Sequence, residues 1–161
     1  MDSWRIDRCA ITHPDAARLV EEVQLEYVAR YGSRDDTPLQ PGYFEPPAGA
    51  FFVGYLDGVA VATGAWRLRS DVDALGSRAC AEIKRMYVAP AGRRRGLARA
   101  MLRHLEETAR VAGAEVMILE TGTGQPEALE LYASSGYATI PGFGFYKDSP
   151  LNRCLARALI S

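Results

Sequence analysis

The residues best placed to do chemistry lie in the stretch Ala89-Pro90-Ala91-Gly92-Arg93-Arg94-Arg95-Gly96-Leu97-Ala98. An apolar run that reads as a strand leads into it, and an amphipathic run that reads as a helix follows. A helix N-terminus offers unpaired backbone N–H groups and a partial positive charge, which suits a phosphate. Gly96 and Ala98 leave room for an anion to approach the backbone, and the arginines add long-range attraction and bidentate contacts. Taken alone, the same residues could form a solvated basic turn that binds nothing. Upstream, Glu82 sits in Ala81-Glu82-Ile83, inside an otherwise apolar strand. A carboxylate is costly to bury there unless it is paired. Burial would raise its pKa toward the range useful to a general base. A salt bridge to Lys84, on the same strand face, is the structural alternative.

Other binding chemistries find no support. There is no GxxxxGK[ST] run, and no GxGxxG follows a strand. Gly122-x-Gly124 comes after Glu120, but the next helix starts at once and no third glycine appears. Three cysteines, Cys9, Cys80 and Cys154, stand far apart, and His13 and His104 lie far from each of them. No metal site is expected, and the thiols read as free and mostly buried in a reducing cytosol.

Stepping along the chain, residues 4–11 read as a first strand. Thr12-His13-Pro14-Asp15 reads as a helix start with proline just inside it, and Ala16, Val20, Val23, Tyr27 and Tyr31 recur at helical spacing up to Gly32. Residues 33–49, with Pro38, Pro41, Pro46 and Pro47, read as an irregular loop holding at most one helical turn. Strands 50–56 and 59–68 flank Asp57-Gly58, a two-residue hairpin signal. After a polar stretch comes the strand Cys80–Val88, then a helix over 96–112. That helix carries Leu97, Met101, Leu102, Leu105, Thr108, Ala109 and Ala112 on one face, with Glu106 and Arg110 as an i,i+4 pair. His104 flanks this face and reads as structural. Residues 116–120 form a short apolar strand, parallel to Cys80–Val88 because a helix joins the two. A helix over 126–135 ends before Gly136, and strands 137–140 and 152–160 close the chain. These elements predict an α/β chain that is one domain over 1–161. Its mixed sheet should have about six to seven strands, with an antiparallel first half, a central βαβ crossover and flanking helices.

Composition narrows the partners. The chain has 161 residues, 48% hydrophobic and 24% charged, with a net charge of −1, as in an ordinary soluble domain. That charge argues against broad binding to nucleic acid or an anionic membrane. Met1-Asp2-Ser3-Trp4-Arg5 lacks the apolar core of a signal peptide, and no apolar run approaches the roughly 20 residues needed to cross a bilayer. A cytoplasmic location is expected.

With the elements in place, Arg93-x-x-Gly96-x-Ala98 resembles the acyl-CoA signature of the GNAT N-acetyltransferases, (Gln/Arg)-x-x-Gly-x-(Gly/Ala). Cys80-Ala-Glu-Ile-Lys-Arg-Met-Tyr-Val-Ala-Pro90 is similar to that family's fourth strand and the turn after it. Ala128-x-x-Leu131-Tyr132-x-x-x-Gly136-Tyr137 is similar to its later helix-to-strand motif. The resemblance is strong over residues 80–140 and rests elsewhere on the order of elements. It implies a GNAT-like fold and acetyl-CoA as acyl donor. The pyrophosphate would lie on Arg93, Arg94, Arg95, Gly96, Leu97 and Ala98, with the pantetheine arm along Met86, Tyr87 and Val88. Gln125, where many members carry asparagine, would lie near the cofactor.

Moving an acetyl group from a thioester to an amine requires a neutral amine, a polarised carbonyl and a protonated leaving thiolate. An alkyl amine of pKa about 10.4 is neutral in roughly one molecule in two thousand at pH 7, a cost of about 4–5 kcal/mol unless a base helps. Glu82 is the candidate base, and it resembles a glutamate found on this strand in some members. Glu120, at the end of the neighbouring strand, is a second candidate for base or substrate contact. Tyr132 is the candidate acid by resemblance, and a packed aromatic otherwise. Nothing activates Cys80 as a nucleophile, so direct transfer in a ternary complex is expected. The acceptor walls are expected in the loops 31–47, with Tyr43, Phe44 and Glu45, and 141–149, with Phe143, Phe145, Tyr146 and Lys147. They suit a primary amine of a small molecule. A protein or peptide acceptor, a non-catalytic acyl-CoA-binding sensor, and assembly as a homodimer all stay open.

Overall fold

The structure, a computed structural model, describes residues 3–36 and 40–159. The elements run in the order β1 (Trp4–Arg8), α1 (Pro14–Tyr31), β2 (Gly49–Leu56), β3 (Val59–Arg69), β4 (Cys80–Val88), α2 (Leu97–Val111), β5 (Val116–Gly122), α3 (Pro126–Ser134), β6 (Ala138–Ile140) and β7 (Asn152–Ala158). The strands make a seven-stranded mixed sheet in the order β1-β2-β3-β4-β5-β7-β6. The chain divides into two compact units, one of residues up to Arg67 with Lys84–Leu105, the other of Leu68–Ile83 with residues from Glu106 onward. Both β4 and α2 pass from one unit to the other.

In the first unit, β1, β2 and β3 pair antiparallel. Asp57 and Gly58 both take positive φ, 51° and 82°, which is the backbone a tight two-residue hairpin demands. β2 is buried along most of its length, so both of its faces are covered. Phe51 and Val53 join Ala16, Leu19 and Val23 of α1 in one core cluster. On the other face Phe52 meets His104 of α2 edge-on at 4.6 Å. Gly64 of β3 is needed for that second layer. A Cβ there would lie 2.8 Å from Met101 and 3.0 Å from Leu105, so the missing side chain lets α2 settle on the sheet.

α1 starts as expected. The His13 Nδ1 accepts from the Asp15 N–H and Pro14 opens the first turn; Gly32 ends the helix at φ 80°. Its buried face is Ala16, Leu19, Val23 and Gln24, displaced from the expected stripe because Leu19 goes fully inside. β1 stops at Arg8, short of the expected Ile11. Cys9 makes one more bond to Phe51 O at 3.0 Å, and the chain then turns, with the His13 N–H on Ala10 O at 2.9 Å, to enter α1. Among its described residues the loop after α1 holds one 3-10 turn, at Pro41–Phe44; Pro38 lies outside the described residues.

In the second unit β4 and β5 pair parallel, Cys80 with Val116 through Glu82 with Ile118. β5 pairs antiparallel with β7, and β7 with β6. The core here gathers Val72, Ala74, Cys80, Val116, Ile118 and Ala156. The last strand ends at Ala158; the expected end at Ile160 lies outside the described residues. The i,i+4 pair expected between Glu106 and Arg110 does not form. Arg110 turns to Glu107, and Glu106 instead holds the Tyr137 hydroxyl at 2.7 Å and Arg157 at 3.0 Å. No helix among the described residues is long and apolar enough to cross a membrane.

Candidate functional site

The basic turn sits wholly in the first unit. β4 ends at Val88, and Ala89 N–H bonds Val61 O at 2.7 Å. Pro90–Gly92 makes one 3-10 turn. Arg94 and Gly96 then take positive φ, 64° and 76°, on either side of Arg95. Such alternation turns successive N–H groups toward a common concavity that attracts anions. α2 begins at Leu97, and its first intrahelical bond, from Ala100 N–H to Gly96 O, is 3.1 Å. The N–H groups of the first turn before it have no intrahelical partner. Leu97 is buried and fastens the helix start to the core. Gly92 is fitted tightly, since a Cβ would lie 3.1 Å from Val61 and 3.2 Å from Leu97, whereas Gly96 has nothing within 4 Å. The turn is thus anchored below and open above.

The arginines of the turn divide in role. Arg93 is occupied inside the protein: its Nε donates to Val88 O at 2.9 Å, its Nη2 pairs with Glu26 of α1, and its guanidinium lies 5.8 Å from the Tyr87 ring centre. Its side chain braces the turn. Arg94, Arg95 and Gly96 are exposed. On β4, Tyr87 is buried among α1 residues while Met86 and Val88 are half-buried. Burial pushes the Tyr87 phenol well above its usual range, with Glu26 adding to the effect.

Arg85 is the residue of β4 with a left-handed backbone. It has φ 54°, a region an L-residue seldom adopts without support. Thr63 Oγ1 donates to the Arg85 carbonyl at 2.6 Å, and Arg85 Nη1 bonds Asp35 Oδ2 at 2.9 Å. Asp35 is fixed in turn by Gln24 of α1, whose Oε1 accepts from the Asp35 N–H at 2.8 Å. Nearby, Phe44 is in the core, 2% exposed and edge-on to Phe51 at 6.1 Å. Tyr43 stays partly open under Arg67, whose guanidinium is 4.5 Å from the ring centre.

The second unit holds the carboxylates. Glu82 is 1% exposed, and its Oε1 accepts from Arg69 Nη1 at 2.7 Å. Arg69 also grips Asp71 side-on with two bonds of 2.8 Å. Arg69 reaches Glu82 because β3 continues to Arg69 beside β4, and a planar guanidinium can serve two carboxylates at once. The Asp71 hydrogen bond, with Glu82 adding to it, pushes the Arg69 pKa up. Strand alternation puts Glu82, its cross-strand neighbour Ile118, and Glu120 on one face of the sheet. Glu120 Oε2 accepts from the Tyr146 N–H at 3.2 Å. A Cβ on Gly144 would lie 1.6 Å from Glu120 Oε1, so this loop presses backbone directly onto the carboxylate. Cys154, opposite Glu120 in the β5–β7 pairing, has its thiol pushed up by burial, as does Cys80. Neither is set up as a nucleophile.

Tyr132, on α3, is 5% exposed and meets Tyr137 edge-on, ring centres 5.5 Å apart. Burial pushes the Tyr137 phenol far up, with the hydrogen bond to Glu106 next in weight. Tyr137 is therefore a fixed support for Tyr132. Gln125 precedes α3; its Oε1 accepts from Thr121 Oγ1 at 3.2 Å.

Comparison with known proteins decides what this turn and these strands belong to. The model of the acetyltransferase (GNAT) family matches residues 16–137. An IAA acetyltransferase of Azospirillum brasilense is 30% identical over 142 residues, covering 88% of this chain and 89% of that protein. The chain belongs to the GNAT acetyltransferase family. Among solved structures, a Klebsiella pneumoniae protein assigned as an acyl-CoA N-acyltransferase superposes with a TM-score of 0.76 at 26% identity, covering 98% of both chains. The Salmonella typhimurium protein yncA, solved with its cofactor acetyl-CoA, gives 0.68 at 20% identity, covering 98% of this chain and 95% of that one; it shows the shared fold. Membership makes the chain an N-acetyltransferase dependent on acetyl-CoA. In this GNAT chain Met86–Val88 and residues 93–98 fall together in the first unit, while Glu82, Glu120, Gln125, Tyr132 and Tyr146 fall in the second. Sequence reasoning missed Arg69, Asp35, Arg85 and Gly144. The one available signal was the pair Lys84-Arg85, two cations in an apolar strand.

Proposed function

We propose that this protein transfers an acetyl group from acetyl-CoA to the primary amine of a small molecule, directly and in a ternary complex. The observation that carries this reading is the turn at residues 93–98. Two left-handed residues and a helix N-terminus fall together there in one exposed, basic turn, the chemistry a pyrophosphate needs. Bound acetyl-CoA supplies the activated thioester. The chain's own residues do the rest. The backbone of Met86, Tyr87 and Val88 receives the pantetheine arm as an added strand, and the amides at Arg93, Arg94, Arg95, Gly96, Leu97 and Ala98 hold the pyrophosphate. Gln125 adds a polar contact to the cofactor. Glu82 takes the proton from the acceptor ammonium, with Arg69 orienting the carboxylate. The Tyr132 hydroxyl returns a proton to the departing sulfur, its ring held by Tyr137.

Glu120 and Tyr146 form the acceptor wall in the second unit. Tyr43 does so in the first, and buried Phe44 fixes its position. The relative named an IAA acetyltransferase supports a small-molecule acceptor. The direct test is a panel of primary amines with acetyl-CoA, read as release of free thiol. Turnover of one or more small amines is expected. Cofactor binding without thiol release from any amine or peptide would leave a binding module instead, and release with peptides alone would move the acceptor to protein N-termini.

A further inference from the structure

Among the described residues, Arg85 is the one arginine in the first unit whose charge is buried: its side chain is 7% exposed and its only ion-pair partner among them is Asp35, itself 18% exposed. Taking a guanidinium out of water costs several kcal/mol unless its donors are well used. They are not. The bond to Asp35 uses Nη1, end-on. The Arg85 Nε–H is buried and has no acceptor among the described residues, although a buried donor left unmade is expensive. Nε and Nη2 together form the side-on edge of the fork, the edge that matches the two oxygens of a carboxylate.

The backbone keeps the group in this position. Arg85 is held at φ 54° by the Thr63 bond to its carbonyl. Asp35 is clasped by Gln24 through its own N–H and carbonyl, at 2.8 and 3.3 Å. A strained residue supported from several directions, with an unused donor at its centre, is how folds prepare a ligand contact. Asp35 belongs to the loop after α1, the same loop that carries Tyr43.

We propose that the side-on edge of Arg85 seats a carboxylate carried by the acceptor, making amino acids or amino-carboxylates the preferred amine class. The inference rests on the N-acetyltransferase reading of the site. Asp35 then serves as a resident counterion that keeps the guanidinium neutralised when the acceptor is absent and repels weakly when it is present.

Binding and turnover test it separately, on the full chain. Melting is measured with CoA plus N-acetylphenylalanine or its carboxylate-free match N-acetylphenethylamine. The carboxylate compound should give the larger shift. Arg85→Gln should abolish the difference, Arg85→Lys should shrink it by losing the fork while keeping the charge, and Asp35→Asn should enlarge it. Equal shifts for the two compounds in the parent, or a difference that survives Arg85→Gln, overturn the seat. Kinetics then compare phenylalanine with phenethylamine. The ratio of their kcat/KM values should favour phenylalanine and fall about 30–100-fold in Arg85→Gln, the worth of charge-assisted hydrogen bonds. A structural pair predicts losses common to both amines and an unchanged ratio, which also overturns the seat. The binding pattern without turnover of either amine supports the seat and counts against acetyl transfer to amines of this kind.

Discussion

Replacing Gly96 tests the anion site, because space and charge can be varied there independently. Gly96 has φ 76°, and nothing lies within 4 Å of where a Cβ would stand, so a side chain meets backbone strain but no collision. The left-handed region costs alanine about 1–2 kcal/mol, and asparagine or aspartate less, since both visit it readily. For a chain of this length each kcal/mol moves the melting midpoint by about 2–4 °C. Gly96→Ala should therefore melt roughly 2–8 °C lower, and Gly96→Asn by less. Gly96→Asp has the shape of Gly96→Asn and adds one negative charge. At about 5 Å from a phosphate charge, with an effective dielectric of about 40, the repulsion is ~1.7 kcal/mol, or about twentyfold in Kd. Acetyl-CoA at 100 times the parent Kd adds about 2.7 kcal/mol of stability; a variant with about twentyfold weaker binding gains only ~1.1 kcal/mol at that concentration. The acetyl-CoA melting shift should thus fall by more than half in Gly96→Asp and persist in Gly96→Asn. Thermal scans with and without millimolar acetyl-CoA read both effects. Equal shifts in the two variants would refute the placement of phosphate over this turn.

The other expectations concern protons. Tyr132→Phe keeps a ring packed on Tyr137 and removes only a hydroxyl, so turnover should drop by about tenfold or more while the acetyl-CoA melting shift stays; turnover within about twofold of the parent would end the acid assignment. Glu82→Gln should cut turnover at neutral pH by about 10²–10⁴, with the defect shrinking as the amine deprotonates at higher pH. Arg69→Gln removes the same 2.7 Å ion pair but leaves the carboxylate, so a base role requires the two variants to differ in rate per folded molecule, and matching rates with matching stability losses would make the pair structural. Tyr55 is pushed up to about 12, first by its hydrogen bond to Asp15. A phenol raised above its unfolded value of 10.0 stabilises the fold fully below pH 10 and loses that contribution as pH climbs through about 12. Tyr55→Phe should flatten alkaline unfolding across that window, and an unaltered pH profile would remove the linkage.

What could be read from the chain alone follows from where each interaction finds its partners. The turn at residues 93–98 was legible because its physics is local: a glycine able to take positive φ, a helix start, and cations within a few residues. The same holds for the Asp57-Gly58 hairpin and for β4, whose limits Cys80–Val88 agree with the expected ones. Side-chain partners were not legible, because nearest-neighbour rules lose to tertiary ones. Glu106 was expected to pair within its helix at i,i+4, worth only about 0.2–0.5 kcal/mol when exposed. A buried tyrosine hydroxyl and an arginine, 31 and 51 residues away, outbid Arg110. Glu82 follows the same logic: it pairs with Arg69, 13 residues away, whose fork holds Glu82 and Asp71 together.

Arg85 is the extreme case. Arginine gives no sign that it will take a left-handed backbone, and its partners Thr63 and Asp35 lie 22 and 50 residues away, with Asp35 held in turn by Gln24. Residues that act through distant partners are also those that can distinguish one acceptor from another, since the donor-binding turn needs only local chemistry. On the proposed reading the acyl donor is readable from a short motif, whereas the acceptor depends on pairs such as Arg85–Asp35 and Glu120–Gly144 that exist only after folding. Substitutions at those pairs should therefore change which amine is acetylated, while substitutions at Gly96 change whether acetyl-CoA binds at all.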